Sequence, residues 1–390
     1  MADTTHRLAF ERPLYELEAR IENLATITPQ NAEIRGEIRL LQRDLTVQTK
    51  RIYSQLKPWE TVEVARHPDR PMTTDYLELV FDEFVELHGD KTFGDDRAIR
   101  TGWARIDGQR VMVVGHQKGK SLKERNACFF GCAHPEGYRK AMAKMRMAAK
   151  YGMPVICMID TPGAYPGIGA EERGQAQVIA SSMFEMSRLP TPVVCVVIGE
   201  GGSGGALGIG VGDRVAMLEH AYYSVISPEG CAGILWKSST FKEQAAQALK
   251  MTSKDLLRLE IIDDVIREPV GGAHRDHHLM ANRMKMFLRN SLRELCEIPS
   301  AELLERRYRK FRRMGAFLEG TTSTSGTAAN NGNYSTSDSV LGNTKGSAHV
   351  GMNGSSNGRD GAKTIVHNGL SLHAGGALPS PHSDALARQF

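Results

Sequence analysis

Apolar residues near the start of the chain step by three and four: Leu14, Leu17, Ile21 and Leu24. That spacing places them on one helical face. After a break at Thr28-Pro29-Gln30-Asn31 the pattern returns at Ile34, Ile38, Leu41 and Leu45, with Ile52 one heptad further on. Two antiparallel helices joined by a short turn satisfy it, so residues 1–60 are expected to form a helical hairpin. Such a hairpin either covers an apolar face of its own core or serves as a subunit-docking arm.

From about residue 78 to 290, strand-like runs alternate with helical ones. Residues 111–115 are a short apolar run, 138–151 have helical spacing, 153–160 are a near-continuous apolar strand and 172–189 read as helix. A second buried strand at 192–198 leads into a glycine-rich turn, and 215–218 and 222–226 suggest two more strands. Continuous apolar strands separated by helices imply a largely parallel sheet covered on both faces, hence an α/β fold. Residues 320–390 are dominated by Ser, Thr, Asn and Gly with scarcely any aliphatic clustering. Such a segment cannot bury enough surface to offset chain entropy and is expected to be a disordered tail. The expected division is therefore 1–60, 61–319 and 320–390.

Composition narrows the class. The 390 residues are 41% hydrophobic and 24% charged, with 39 glycines, which supplies a packed interior and excludes a collagenous or highly charged chain. A net charge of +4 is too mild to demand nucleic acid as the main partner. No apolar run reaches the roughly 18–20 residues that cross a bilayer, and the early acids at the start are unlike a secretory or transit peptide. The six cysteines then read as reduced thiols, and the expected compartment is the cytoplasm.

The most informative segment is Gly199-Glu200-Gly201-Gly202-Ser203-Gly204-Gly205-Ala206-Leu207-Gly208, between a buried strand and a short helix. Small residues let another backbone or a ligand approach, and amides at a helix start form an anion-binding corner. Three chemistries could use it. Gly199-x-Gly201-x-x-Gly204 matches a dinucleotide fingerprint, but the following helix is too short and glycine-interrupted for a Rossmann crossover. Gly201-x-Ser203-x-Gly205 matches a nucleophile elbow, yet no motif singles out a histidine partner for Ser203. The third is an oxyanion hole made by the amides of Gly204, Gly205 and Ala206, which bares backbone without demanding a side-chain base. The turn Asp160-Thr161-Pro162-Gly163-Ala164-Tyr165-Pro166-Gly167 has the same design, and neighbouring strand ends would bring both turns to one sheet edge.

These turns occur in fixed order with His116-Gln117-Lys118-Gly119, Pro135-Glu136-Gly137-Tyr138-Arg139-Lys140-Ala141, Ala170-Glu171-Glu172-Arg173-Gly174-Gln175, Ser227-Pro228-Glu229-Gly230-Cys231-Ala232, Ile234-Leu235-Trp236-Lys237 and Glu268-Pro269-Val270-Gly271-Gly272-Ala273-His274. Together they resemble the alpha subunits of the bacterial and plastid-type acetyl-coenzyme A carboxylase carboxyltransferase, from about residue 8 to 318. The resemblance implies a crotonase-like fold of stacked β-β-α units with helices outside. It also implies a beta-subunit partner in an α2β2 assembly, together with a biotin carboxyl carrier protein and a biotin carboxylase. Carboxybiotin on the carrier would give its carboxyl group to acetyl-coenzyme A, forming malonyl-coenzyme A for fatty acid synthesis. Structural zinc would sit in the beta subunit and ATP would be used on the biotin carboxylase. The glycine turn at Gly204, Gly205 and Ala206 would hold the ureido oxygen, and Gly163, Ala164, Tyr165 and Gly167 would shape the biotin side of the cleft. A related biotin-dependent carboxylase or decarboxylase uses similar turns, and a noncatalytic scaffold of the complex is the alternative from another class.

Lys118, Lys120 and Lys123 are candidate contacts for coenzyme A phosphates. His116 ends a strand and is expected to hydrogen-bond locally. Cys128-x-x-x-Cys132 with His134 lacks a second pair at zinc-ribbon spacing, so loop packing is expected and no metal in this chain. Residues 121–134 also depart from the family, whose members usually have a more basic stretch there. The run Arg306-Arg307-Tyr308-Arg309-Lys310-Phe311-Arg312-Arg313 resembles a nucleic-acid patch, but such helix faces are commonly solvated or set against an acidic partner.

Overall fold

The computed structural model describes residues 6–27 and 32–315; the 28–31 break and the 320–390 segment lie outside the described residues. Strands form where the apolar runs predict them, together with three that the runs do not mark. They are β1 (Glu83–Glu86), β2 (Ile99–Ile106), β3 (Gln109–His116), β4 (Val155–Thr161), β5 (Val193–Gly202), β6 (Arg214–Leu218), β7 (Tyr222–Ser224) and β8 (Asp264–Ile266). One mixed sheet runs β1-β2-β3-β4-β5-β6-β8, with β7 beside the far end of β5. β1, β2 and β3 pair antiparallel, and every pairing from β3 onward is parallel. Every residue of β4 and β5 is buried, which is why they read as unbroken apolar runs. β1 alternates exposed and half-buried positions as an edge strand does, and carries no such signal.

Helices cover the sheet. Pro135–Lys150 begins with proline at its first turn, where the missing N–H costs nothing, and its Tyr138, Ala141, Met142, Met145 and Ala148 join the main core. The helix expected over 172–189 is Gln175–Ser187, and a short helix, Ile168–Glu172, precedes it across a break at Gly174, with φ 82°. Arg173 beside that break is held by Glu136 at 3.1 and 2.9 Å, so the chain turns where a charged pair and a left-handed glycine coincide.

The expected N-terminal helices are Arg12–Thr26 and Ala32–Ser54. An Arg20–Glu37 pair at 2.6 Å links them. Leu8, Leu14 and Tyr53 pack on Val64 of the helix Pro58–Ala65, which anchors one end of the hairpin, while Leu40 and Val47 stay exposed.

The basic run near residue 310 is largely an internal device. In the helix Ser300–Arg312, Arg307 is buried against Asp213, with bonds of 2.8 and 2.6 Å, and also donates to the carbonyls of Met186, Leu189 and Thr191. Lys310 reaches Asp263 at 2.8 Å, and Arg306 and Arg309 pair with Glu302 and Glu305 one turn back. The charges that suggested a nucleic-acid patch are mostly spent inside the chain.

Candidate functional site

β4 and β5 are parallel neighbours, so the segments leaving Thr161 and Gly202 emerge at the same edge of the sheet, where α/β proteins bind ligands. The glycine segment does not turn at residue 199, as its composition suggested. β5 runs on to Gly202, because Gly201 pairs with Thr161 on one side and Glu200, Gly201 and Gly202 pair with β7 on the other. The turn comes at Ser203, which has φ 50° and is exposed, and the five-residue helix Ser203–Leu207 follows. A serine in the left-handed region is strained backbone of the kind found at functional sites.

The two turns meet backbone to backbone. A methyl group on Gly205 would lie 2.5 Å from the Ala164 nitrogen and the Gly163 carbonyl carbon, and one on Gly202 would lie 2.1 Å from the Pro162 oxygen. Only glycine permits this approach. On the open side, Gly163 has nothing within 4 Å of its absent side chain, and Gly204 has only Ile179 at 3.7 Å. The second turn is closed by Thr161, whose Oγ1 donates to the Gly163 carbonyl and accepts from the Gly163 amide. The Tyr165 amide donates to the Ala133 carbonyl at 3.0 Å. The Tyr165 ring folds over Gly167, stacks on His134 at 4.0 Å between centroids, and meets Phe129 edge-on at 5.4 Å. Gly205 thus stands directly against Gly163 and Ala164, while Tyr165 and Gly167 pack on each other beside His134 and Phe129. Helix geometry leaves first-turn amides without an acceptor of their own, which favours Gly204 and Gly205 as donors over Ala206, the fourth helical residue.

Beneath the turns lies a group of charges that sequence reasoning did not single out. Lys118 Nζ sits 2.7 Å from Asp160 Oδ1 and 2.6 Å from Glu200 Oε2. Glu200 Oε1 accepts from Arg66 Nε and the Tyr222 hydroxyl, each at 2.6 Å, and Arg66 continues to Glu229 at 2.5 Å. Burial raises the Glu200 carboxyl pKa, but Lys118 and Arg66 outweigh it and hold it at about 2. Burial also lowers the Lys118 pKa, and the two carboxylates more than reverse this. A signal was available: acids at the ends of otherwise apolar strands almost always have partners.

The three candidate lysines therefore separate. Lys118 is only 16% exposed and held between two carboxylates. Lys120 pairs with Asp75, and Lys123 lies exposed on the helix Leu122–Ala127. His116 departs from expectation, since it is fully buried and neither ring nitrogen has a partner. Burial, and after it Lys118, keeps it neutral, with its pKa lowered to about 3. Cys128, Cys132 and His134 do not gather as ligands, and no group of three or more potential metal ligands occurs among the described residues. All six cysteines are free thiols, and no described helix is long and apolar enough to cross a membrane.

Residues 7–315 match the acetyl co-enzyme A carboxylase carboxyltransferase-like family. The chain is 66% identical over 312 residues to the acetyl-coenzyme A carboxylase carboxyl transferase subunit alpha of Rhodopirellula baltica, spanning 80% of this chain and 98% of that protein. To its namesake from Geobacter metallireducens it is 52% identical over 314 residues, 80% and 99% of the two chains. Transcarboxylase 12S with methylmalonyl-coenzyme A and methylmalonic acid bound is similar at 20% identity and a TM-score of 0.47, over 57% of this chain and 41% of that one. Since the family match runs from the N-terminal hairpin to the last described helix and takes in both glycine turns, this chain belongs to the acetyl-coenzyme A carboxylase carboxyltransferase family.

Proposed function

We propose that the chain is the alpha subunit of an acetyl-coenzyme A carboxylase carboxyltransferase, acting in the cytoplasm with a beta subunit as an α2β2 assembly. A biotin carboxyl carrier protein and a biotin carboxylase that uses ATP complete the system, with zinc in the beta subunit. One observation carries this reading: two glycine turns pressed together at one sheet edge, with open space beside Gly163 and only Ile179 beside Gly204. A flat ureido ring suits such an edge, because neither glycine places a side chain there. Carboxybiotin supplies the carboxyl group that converts acetyl-coenzyme A to malonyl-coenzyme A, and its ureido oxygen gains negative charge as that group leaves.

The chain's own residues meet that charge with backbone. The amides of Gly204 and Gly205, with Ala206 buried behind them, are fixed donors, and each such donor lowers a transition state by about 3 kcal/mol. Gly163, Ala164, Tyr165 and Gly167 form the opposite wall and orient the ring. The partner reading is supported by the helix Pro228–Trp236, which leaves Ile234 and Leu235 each 63% exposed. Apolar side chains side by side on a surface helix suit a protein partner.

Ser203 favours a second reading, a serine nucleophile, through its left-handed φ and exposure. Among the described hydrogen bonds, however, none joins Ser203 to a histidine. The test is malonyl-coenzyme A-dependent carboxylation of free biotin by the complex co-purified with its beta-type partner. Turnover that survives Ser203→Ala with a modest loss supports the carboxyltransferase. Ester hydrolysis by the chain alone, abolished by Ser203→Ala, would overturn it.

A further inference from the structure

Three successive strand ends, β3, β4 and β5, point to the same edge of the sheet, and each delivers one charged residue to a single point. Lys118 follows β3, Asp160 lies near the end of β4 and Glu200 near the end of β5. Between Ile159 and Thr161 the partner of β4 jumps from Val197 to Gly201, so Ile198, Gly199 and Glu200 of β5 bulge opposite Asp160. Bulges next to active sites re-aim a side chain. Here Glu200 is the side chain re-aimed, and the Asp160 carboxylate lies under the bulged Gly199, where a methyl group would come within 2.5 Å of Oδ1. The same oxygen accepts the Glu200 amide at 2.9 Å and the Lys118 ammonium at 2.7 Å.

The site is also sealed. Gly131, at φ 86°, sits on the Lys118 stem and the Asp160 carbonyl, at 2.8 and 3.1 Å from the position its Cβ would take. The chain reaches Gly131 through Phe129 and Phe130, both also at positive φ. Three consecutive left-handed residues, two of them bulky, make a strained cover over one ion triad.

We propose that Lys118 is a positioning residue: by bridging Asp160 in β4 to Glu200 in the β5 bulge, it sets the spacing of the two glycine turns and so the aim of the Gly204 and Gly205 amides. This rests on the oxyanion reading of those amides and adds the part that holds them. Glu200 is four residues before Gly204, with the turn at Ser203 between them, and Asp160 is three before Gly163. A shift of either strand end moves the corresponding turn. Lys118 is the cation that touches both carboxylates. Arg66 restrains Glu200 from the far side but is not paired with Asp160.

Lys118→Met alone would leave two buried carboxylates short of a cation, so the variant to compare is the charge-balanced Lys118→Met/Asp160→Asn, in which Glu200 keeps Arg66. Both are made in the full chain and purified with the beta-type partner. Free-biotin carboxylation from malonyl-coenzyme A is measured alongside hydrogen exchange of residues 199–207. In the double variant we expect kcat to fall about 100-fold, the cost of a misplacement near 1 Å. KM for malonyl-coenzyme A should stay within about two-fold, since its binding does not depend on the aim of these amides, and exchange over 199–207 should quicken. An unchanged kcat overturns the proposal, and exchange tells how it fails. If exchange is also unchanged, the triad does not brace the turn. If exchange quickens while kcat holds, the reaction does not use these amides and the oxyanion reading falls instead.

Discussion

Two regions of this molecule bury ionisable groups and keep them there by opposite means. Under the glycine turns, Lys118, Asp160, Glu200 and Arg66 are all charged and each lies within 2.7 Å of an opposite charge. Where the N-terminal hairpin joins the body, His67 and His274 stack at 4.0 Å and His6 meets His67 edge-on. His274 Nδ1 has no partner. That joint stays buried by staying neutral: His274 is held at about 2, first by burial and then by His67, Arg70 and Arg275. A buried ion pair resists separation but demands geometry, so it suits a site that must hold backbone amides in place. A neutral imidazole stack demands only that no proton arrive.

The sharpest way to break the first region is steric. Gly205→Ala puts a methyl group into the facing backbone of Gly163 and Ala164, neither of which can rotate away. Biotin carboxylation by the complex should fall about 100-fold or more, as when an oxyanion donor is lost. Gly204→Ala, with only Ile179 at 3.7 Å, should leave the thermal midpoint unchanged. Equal destabilisation by the two would show that the turns are not pressed together as described.

Between the regions, Arg70 joins Glu268 through bonds of 3.0 Å and a second at 2.5 Å, and donates to the Ile198 carbonyl. Glu268 in turn accepts the amides of His220 and Ala273. Removing one partner of such a buried pair costs about 3 kcal/mol or more, so Arg70→Met should lower the urea midpoint accordingly. A change within error would mean that the pair contributes nothing net.

Acid combined with a variant at His274 separates the two regions with a smaller effect. His274 has a folded pKa of about 2 against an ordinary 6.5, so below 6.5 the unfolded chain takes up a proton that the folded stack refuses. Stability at the joint is therefore complete above 6.5 and falls with pH, by up to about 1.4 kcal/mol per unit for one proton. The Glu200 contribution is complete above 4.5 and is lost only as pH falls towards 2. At pH 5, hydrogen exchange corrected for its intrinsic rate should quicken in the hairpin helices through His274, and in residues 199–207 through His116, held at about 3 by burial and Lys118. His274→Leu should flatten this dependence in the hairpin. If His274→Leu flattened the loss in residues 199–207 as much as in the hairpin, the two regions would be one unit.

Much of the architecture was legible because the central strands are buried on both faces and therefore apolar without interruption, as at residues 153–160 and 192–198. β2 was not: Arg100 and Arg105 interrupt Ile99–Ile106, and only their partners, Glu86 for Arg100 and Glu83 for Arg105, explain charges in a strand. In the site, the glycines announced close approach, and the structure shows what approaches what. Glu200 and Asp160 passed unremarked because a carboxylate does not name its partner in sequence.

The sequence by itself determined the α/β class, the two glycine turns and the family, because apolar periodicity and glycine spacing are local signals. Only the tertiary structure decided that Lys118 is ion-paired with both Asp160 and Glu200, that Arg307 is a core residue and that β5 continues through its glycines. Each of those outcomes depends on a partner 40 to 120 residues away in the chain, and a charge or a glycine carries no local mark of what folding will bring beside it.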